Sequence, residues 1–225
     1  MKTLLTLFIF ITLLIHSAHS QEKMVINQRY SGNVSYSGAS YFLDSINQLP
    51  TKIQINLNGY LTKVLGDFKN NLTYSHGQVV DLKQYFSKDS LIFNRGWVAP
   101  KYDLHFLLSD STIGIIKYYI QIRMDKYGQI LSCNWPKERH NNKNILVLRS
   151  EIRKKALRRA ENLIYNTANF EIDFKYNKKE DKLCWIFKFP IKITSHLKKY
   201  NALEIDWLAN KIIDEYGISQ TTYYD

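Results

Sequence analysis

The chain has 225 residues, with 31 Lys and Arg against 20 Asp and Glu, a formal charge of +11. At 45% hydrophobic and 23% charged it is globular material rather than a disordered tail, and nine Gly and four Pro exclude collagen-like and low-complexity sequence. Two cysteines exclude a disulfide-dense scaffold and a multi-cysteine metal cluster.

Residues 1–20 read as a secretory signal peptide. Lys2 is the positive start, residues 4–15 are apolar but for two Thr, and Ala18 and Ser20 are the small residues before a cut at Gln21. The apolar run is shorter than the roughly 20 residues a membrane span needs. Charges interrupt every later apolar run. The expected location is therefore the periplasm or the extracellular space, as a protein that is not integral to the membrane. Without Lys2 the mature chain keeps 30 basic and 20 acidic residues, 30 − 20 = +10. Export makes Cys133 and Cys184 a candidate disulfide. Two buried free thiols are the alternative.

Residues 21–50, rich in Ser, Gly, Asn and Tyr, read as an irregular lead-in with one short element at 39–46. Leu61, Val64, Leu65 and Phe68 follow helical spacing, which predicts a helix over 59–72 despite Gly66. Residues 78–93 show no clear period. A hairpin follows, with strands at 102–108 and 115–124 around the turn-forming 109–114. Ile120, Ile122 and Met124 alternate with Gln121 and Arg123, the pattern of a half-buried strand. Asp125-Lys-Tyr-Gly128 suits a tight turn into another strand at 129–131.

Residues 136–149 read as a polar linker. The strongest helix signal covers 150–164, with Ser150 as N-cap and Leu157, Ala160 and Ile164 facing a sheet. Its other side carries Arg153, Lys154, Lys155, Arg158 and Arg159. Residues 137–161 hold nine Lys/Arg and three Glu, a local 9 − 3 = +6. That strip is either a docking face for an acidic partner or an anionic surface, or a solvated helix face. Export disfavours nucleic acid. Residues 170–176 alternate as a strand, 177–182 turn, and 183–193 return with Pro190 at a bulge or edge. A loop is expected at 194–201, then strand pieces at 202–206 and 211–213 and a polar, aromatic tail from 218.

The order helix, hairpin, Asp-led turn thus occurs twice. The fold class is α+β: helices packed on antiparallel β-sheet, arranged as two tandem helix-plus-hairpin units at 51–135 and 144–225. The second unit closes with Leu203-Glu-Ile-Asp206-Trp-Leu-Ala-Asn210-Lys-Ile212, and the first with Ile122-Arg-Met-Asp125-Lys-Tyr-Gly128-Gln-Ile130. Both resemble the closing strand of the PepSY and PepSY-like domains of exported bacterial proteins, with Asn210 at that family's Gly position. The resemblance implies a helix on an antiparallel sheet and a binding or inhibitory role in the cell envelope. It implies no catalytic residue and no cofactor; Asp125, Gly128, Asp206 and Asn210 are then turn residues.

After cleavage the histidines are His76, His105, His140 and His196, and none has metal-site spacing. No Gly-x-Ser-x-Gly elbow and no phosphate loop occurs. The expected function is therefore non-catalytic: binding or restraining an envelope or secreted protein. A basic protein for anionic lipid or glycan, and an enzyme whose site assembles only in three dimensions, are the alternatives.

Overall fold

The computed structural model describes residues 21–24, 36, 38–88, 100–137 and 140–221. The expected signal peptide lies outside them. The chain is α+β, with two five-stranded sheets and three α-helices among the described residues. Strand β1 is Gln21–Met24 and β2 is Ser40–Leu43. Helix α1 spans Thr51–Leu65, followed by β3 (Leu72–Val80) and the short α2 (Leu82–Lys88). Strands β4 (Tyr102–Asp110), β5 (Ile115–Met124) and β6 (Ile130–Cys133) complete the first half. Helix α3 spans Arg149–Asn162. Strands β7 (Asn169–Asn177), β8 (Lys182–Ile193), β9 (Leu197–Asp206) and β10 (Ile212–Thr221) form the second half.

Each half is a helix followed by a four-stranded antiparallel meander, and in each the Asp-led turn joins the third strand to the fourth. The sheet orders are β2-β3-β4-β5-β6 and β1-β7-β8-β9-β10. The fifth strands come from the expected lead-in: β2 lies antiparallel to β3, and β1 parallel to β7. Residues 21–50 are therefore not uniformly irregular.

Helix α1 starts eight residues before its predicted boundary, because Ile53 and Leu57 extend the stripe of Leu61, Val64 and Leu65 to every turn. It stops at Gly66, whose φ of 49° breaks the helix and whose absent side chain admits the Asn141 carbonyl. Phe68 falls in the 3₁₀ turn beyond. Helix α3 buries Ile152, Ala156 and Ala160. Its N-cap is Leu148, with no side-chain cap, so Ser150 does not cap it. Ile164 does not face the sheet: the helix ends at Asn162, Ile164 takes a φ of 59°, and its side chain is 93% exposed. Leu157 packs at the edge of the core, partly buried. Pro190 sits where the β8–β9 register shifts, as expected of a bulge. The expected loop at 194–201 shrinks to three residues, since β9 begins at Leu197.

Alternation sends Leu104, Phe106, Ile120 and Ile122 of the first sheet, and Phe170, Ile172, Trp185 and Phe187 of the second, into one continuous core. Phe68 joins the halves. Its ring lies 5.2 Å from Trp135 and 6.0 Å from Trp207. Phe174 lies 5.2 Å from Tyr118 and 4.9 Å from Trp207. Phe68→Ala is expected to cost about 3–5 kcal/mol. Because the core is shared, both units should unfold in one transition. Guanidinium unfolding followed in parallel by tryptophan fluorescence and far-UV circular dichroism checks this; separated transitions would contradict a common core.

Candidate functional site

The five expected docking residues of α3 do not form one face. At 100° per residue, Arg153 shares the inner side with Ile152 and Ala156, and its guanidinium lies 5.6 Å from the Phe170 ring centre. Lys155 Nζ donates to the Asn210 carbonyl. Arg159 donates from Nε and Nη2 to Glu215, at 2.7 and 3.0 Å. Lys154, Lys155 and Arg158 are exposed, while Arg153 and Arg159 are half-buried. Most of the basic strip is thus spent on the molecule's own second sheet.

The two cysteines are free thiols, which overturns the expected bridge. They belong to different sheets: Cys133 stands opposite Ile122 on β5, and Cys184 stands between Lys175 and Asp206. Burial pushes the Cys133 thiol up to about 11, although the Tyr60 hydroxyl donates to it. Burial and then the nearby Glu204 push Cys184 up as well. Both are protonated at neutral pH and are poor nucleophiles.

The Asp-led turns have the expected chemistry. Asp125 Oδ1 accepts from the amides of Tyr127 and Gln129, both at 2.8 Å, and Gly128 has a φ of 88°. Asp206 Oδ1 accepts from the amides of Leu208 and Ala209, at 2.8 and 3.1 Å. Asn210 takes the left-handed φ of 49° that Gly would otherwise supply.

The outer face of the first sheet gathers a polar cluster that alternation alone does not announce. Asp103, 4% exposed, accepts from Tyr36 at 2.7 Å, Gln121 at 2.6 Å and Arg123 at 3.1 Å. His105 Nε2 stands 3.3 Å from it, and the His76 ring stacks on His105 at 4.4 Å. Gln121 is therefore buried rather than solvent-facing. Burial opposes the charge on Asp103, but hydrogen bonds from His105 and Tyr36, then the charge of Arg123, outweigh it and hold the carboxyl below its ordinary range. A carboxyl lowered on folding contributes stability that is present above its unfolded value, and loses it as pH falls through the lower folded value. Thermal melts on acidification below about pH 4 should show wild-type stability falling, and Asp103→Asn should flatten that limb while lowering stability at neutral pH. An unchanged limb would show that the cluster stays intact on protonation.

The second sheet's outer face is likewise self-neutralised. Lys188 pairs with Glu171 and Asp173, at 3.1 and 2.9 Å. Lys175 pairs with Glu204 at 2.8 Å, and Lys182 with Asp206 at 3.0 Å.

Positive charge gathers in one concave place. A cleft of about 380 Å³ opens where the β4–β5 turn meets the N-terminus of α3. Ser111 and Thr112 line it from the turn, Lys143 from the linker, and Arg149, Ser150 and Arg153 from the helix. Trp207 also lines it. Gly114 has a φ of 82°, and a Cβ there would stand 2.5 Å from Arg149 Cδ, so only glycine lets that side chain lie across the turn. The Arg149 guanidinium lies 5.5 Å from the Trp185 ring centre, a cation–π distance. Burial, then the charge of Arg153, pulls Arg149 below its ordinary value. Lys143 is matched by Asp110, which also accepts from Asn71 and Thr112. The two arginines add to the positive end of a helix whose N-cap carries no side-chain acceptor. Such a cleft favours a carboxylate or another oxyanion.

Arg153 is the one predicted docking residue in the cleft. Lys143 and Arg149 belong to the stretch whose sequence predicts a polar linker, and 111–114 to the one that predicts a turn. Among the described residues no group of three or more His, Cys, Asp or Glu is placed to hold a metal ion, and no helix is long and apolar enough to cross a membrane. Comparisons with protein-family models, curated proteins and solved structures find no match to this chain.

Proposed function

We propose that the chain is an exported, non-catalytic binding module of the cell envelope or extracellular space, and that its cleft receives an acidic side chain or terminal carboxylate of a protein partner. One observation carries this reading: Arg149 and Arg153 meet the uncapped start of α3 in a single cleft. The carboxylates Asp103, Asp110 and Asp206 support it, because each is committed to internal donors rather than presented to a substrate. The PepSY-like resemblance of the two Asp-led turns belongs to the same reading. A planar guanidinium pair is suited to a bidentate carboxylate contact, which lysines at those positions would not supply.

The test is titration of the full chain with a glutamate-rich peptide. The double variant Arg149→Gln/Arg153→Gln should weaken binding at least about tenfold, the scale of charge-assisted hydrogen bonds. Raising salt should weaken the wild type more than the variant. Equal affinity in both proteins, with melting temperatures matched, would sink the proposal.

A further inference from the structure

A second basic surface lies away from the cleft, at the far end of the second sheet. Pairing between β7 and β8 stops at Glu171–Lys188, and β7 begins at Asn169. Strands β8 and β9 run on as a hairpin to Ile193–Lys198, with β10 beside β9 as far as Thr221. Residues 191–193 carry the tip about 10 Å past the end of β7, at about 3.3 Å per residue. The Thr194 amide donates to the Leu197 carbonyl at 2.8 Å, and the Leu197 amide to Thr194 Oγ1 at 3.0 Å, so the turn is built rather than loose.

What this hairpin displays costs the fold something. Ile191 is 59% exposed and Ile193 56%, although ten residues away the same strand buries Leu183 completely. Lys192 stands directly opposite Lys199 across the β8–β9 ladder. Like charges so placed repel. On the other side of β9, Lys199 faces Ser219, Lys198 faces Gln220 and Leu197 faces Thr221. No acidic residue occurs between 190 and 199. Elsewhere the sheet matches its lysines with carboxylates, as at Lys175, Lys182 and Lys188. Two isoleucines and three lysines, none of the lysines paired with a carboxylate among the described residues, thus share one projecting tip.

We infer that this hairpin docks the protein on an anionic lipid surface, with Ile191 and Ile193 entering the interface and Lys192, Lys198 and Lys199 meeting the headgroup charge. The residue types select this partner. Lysine brings a flexible point charge whose methylenes can lie along an apolar boundary while the ammonium stays at the headgroups. Nucleic acid would call for aromatic or Arg faces to stack on bases. A protein hot spot favours Trp, Tyr and Arg. The inference stands apart from the cleft reading.

Co-sedimentation of the chain in the form its host produces tests this, using phosphatidylglycerol–phosphatidylcholine vesicles against pure phosphatidylcholine. Wild type should partition onto the anionic vesicles and leave them at high salt. Ile191→Ser/Ile193→Ser should lower partitioning about tenfold per isoleucine. Lys198→Gln/Lys199→Gln should lower it about fivefold per lysine. All four sites are on the hairpin tip, so the melting temperature should hold. Arg149→Gln/Arg153→Gln should bind vesicles as wild type does, whatever becomes of its affinity for acidic peptide. The inference falls if wild type ignores anionic vesicles, binds neutral ones equally, or is unaffected by the tip substitutions. It also falls if only the cleft variant loses vesicle binding, which would place lipid at the cleft.

Discussion

The packing of Phe68 between Trp135 and Trp207 is the contact on which the other features depend. Each indole N–H is fixed to a backbone carbonyl. Trp135 Nε1 donates to the Val64 carbonyl at 3.1 Å, and Trp207 Nε1 to the Val147 carbonyl at 3.2 Å. The Val147 amide returns a bond to the Trp207 carbonyl at 3.1 Å. Burying large aromatic rings stabilises, and pairing the indole N–H removes the penalty of burying it. The linker is thereby tied to the second sheet by Val147 and to the end of α1 by Asp67, whose amide donates to Asn141 and whose carboxylate accepts from the Lys143 amide. Only with the linker so held does Lys143 stand beside Arg149, and only then does a cleft exist.

Charge follows the same economy. A chain with a formal +11 must place its cations where they do not repel. The fold threads Lys175, Lys182 and Lys188 through carboxylates on the second sheet, and Arg123 onto Asp103 on the first. A buried charge that lost its partner would be costly, so these pairs constrain strand register as well as charge. Arg159 and Lys155 then clamp α3 to the β9–β10 turn and to β10. Arg149 and Arg153 gather at the start of α3, and Lys192, Lys198 and Lys199 at the β8–β9 tip.

The sequence made the local features legible. The 102–124 hairpin, the stripe of α3, the strand at 170–176 and both Asp-led turns rest on neighbours within one period, and they were readable for that reason. Helix α1 is legible only in its second half, because Asn56, Asn58 and Gly59 dilute its propensity while burial of Ile53 and Leu57 overrides it. Ile164 kept helical spacing past the point where the backbone leaves the helix. Helical periodicity places the basic residues on one strip, but Arg and Lys can turn their heads to a neighbouring strand, and periodicity says nothing about Glu215 being there. The cysteine bridge failed because strand assignment does not say which sheet a strand joins. The cleft joins Ser111 to Arg149 and Trp207 across long separations, and no window of sequence contains it.

The duplication makes the asymmetry of the two halves interpretable. Each has a helix, four antiparallel strands and an Asp-led turn before the last strand. In the first turn Gly128 closes a short loop against Asn56, and Tyr127 is left 60% exposed. In the second, one extra residue and a left-handed Asn210 close the loop, and Trp207 is rotated wholly inside. The first turn packs on α1, where Asn56 Nδ2 donates to the Tyr127 carbonyl at 3.4 Å. The second puts an aromatic ring against Phe68 and into the wall of the cleft, where α3 begins. The element that locks the halves together also shapes the concave surface between them. A substitution that loosens Trp207 should therefore disturb the cleft through the packing, without removing any charged group that lines it.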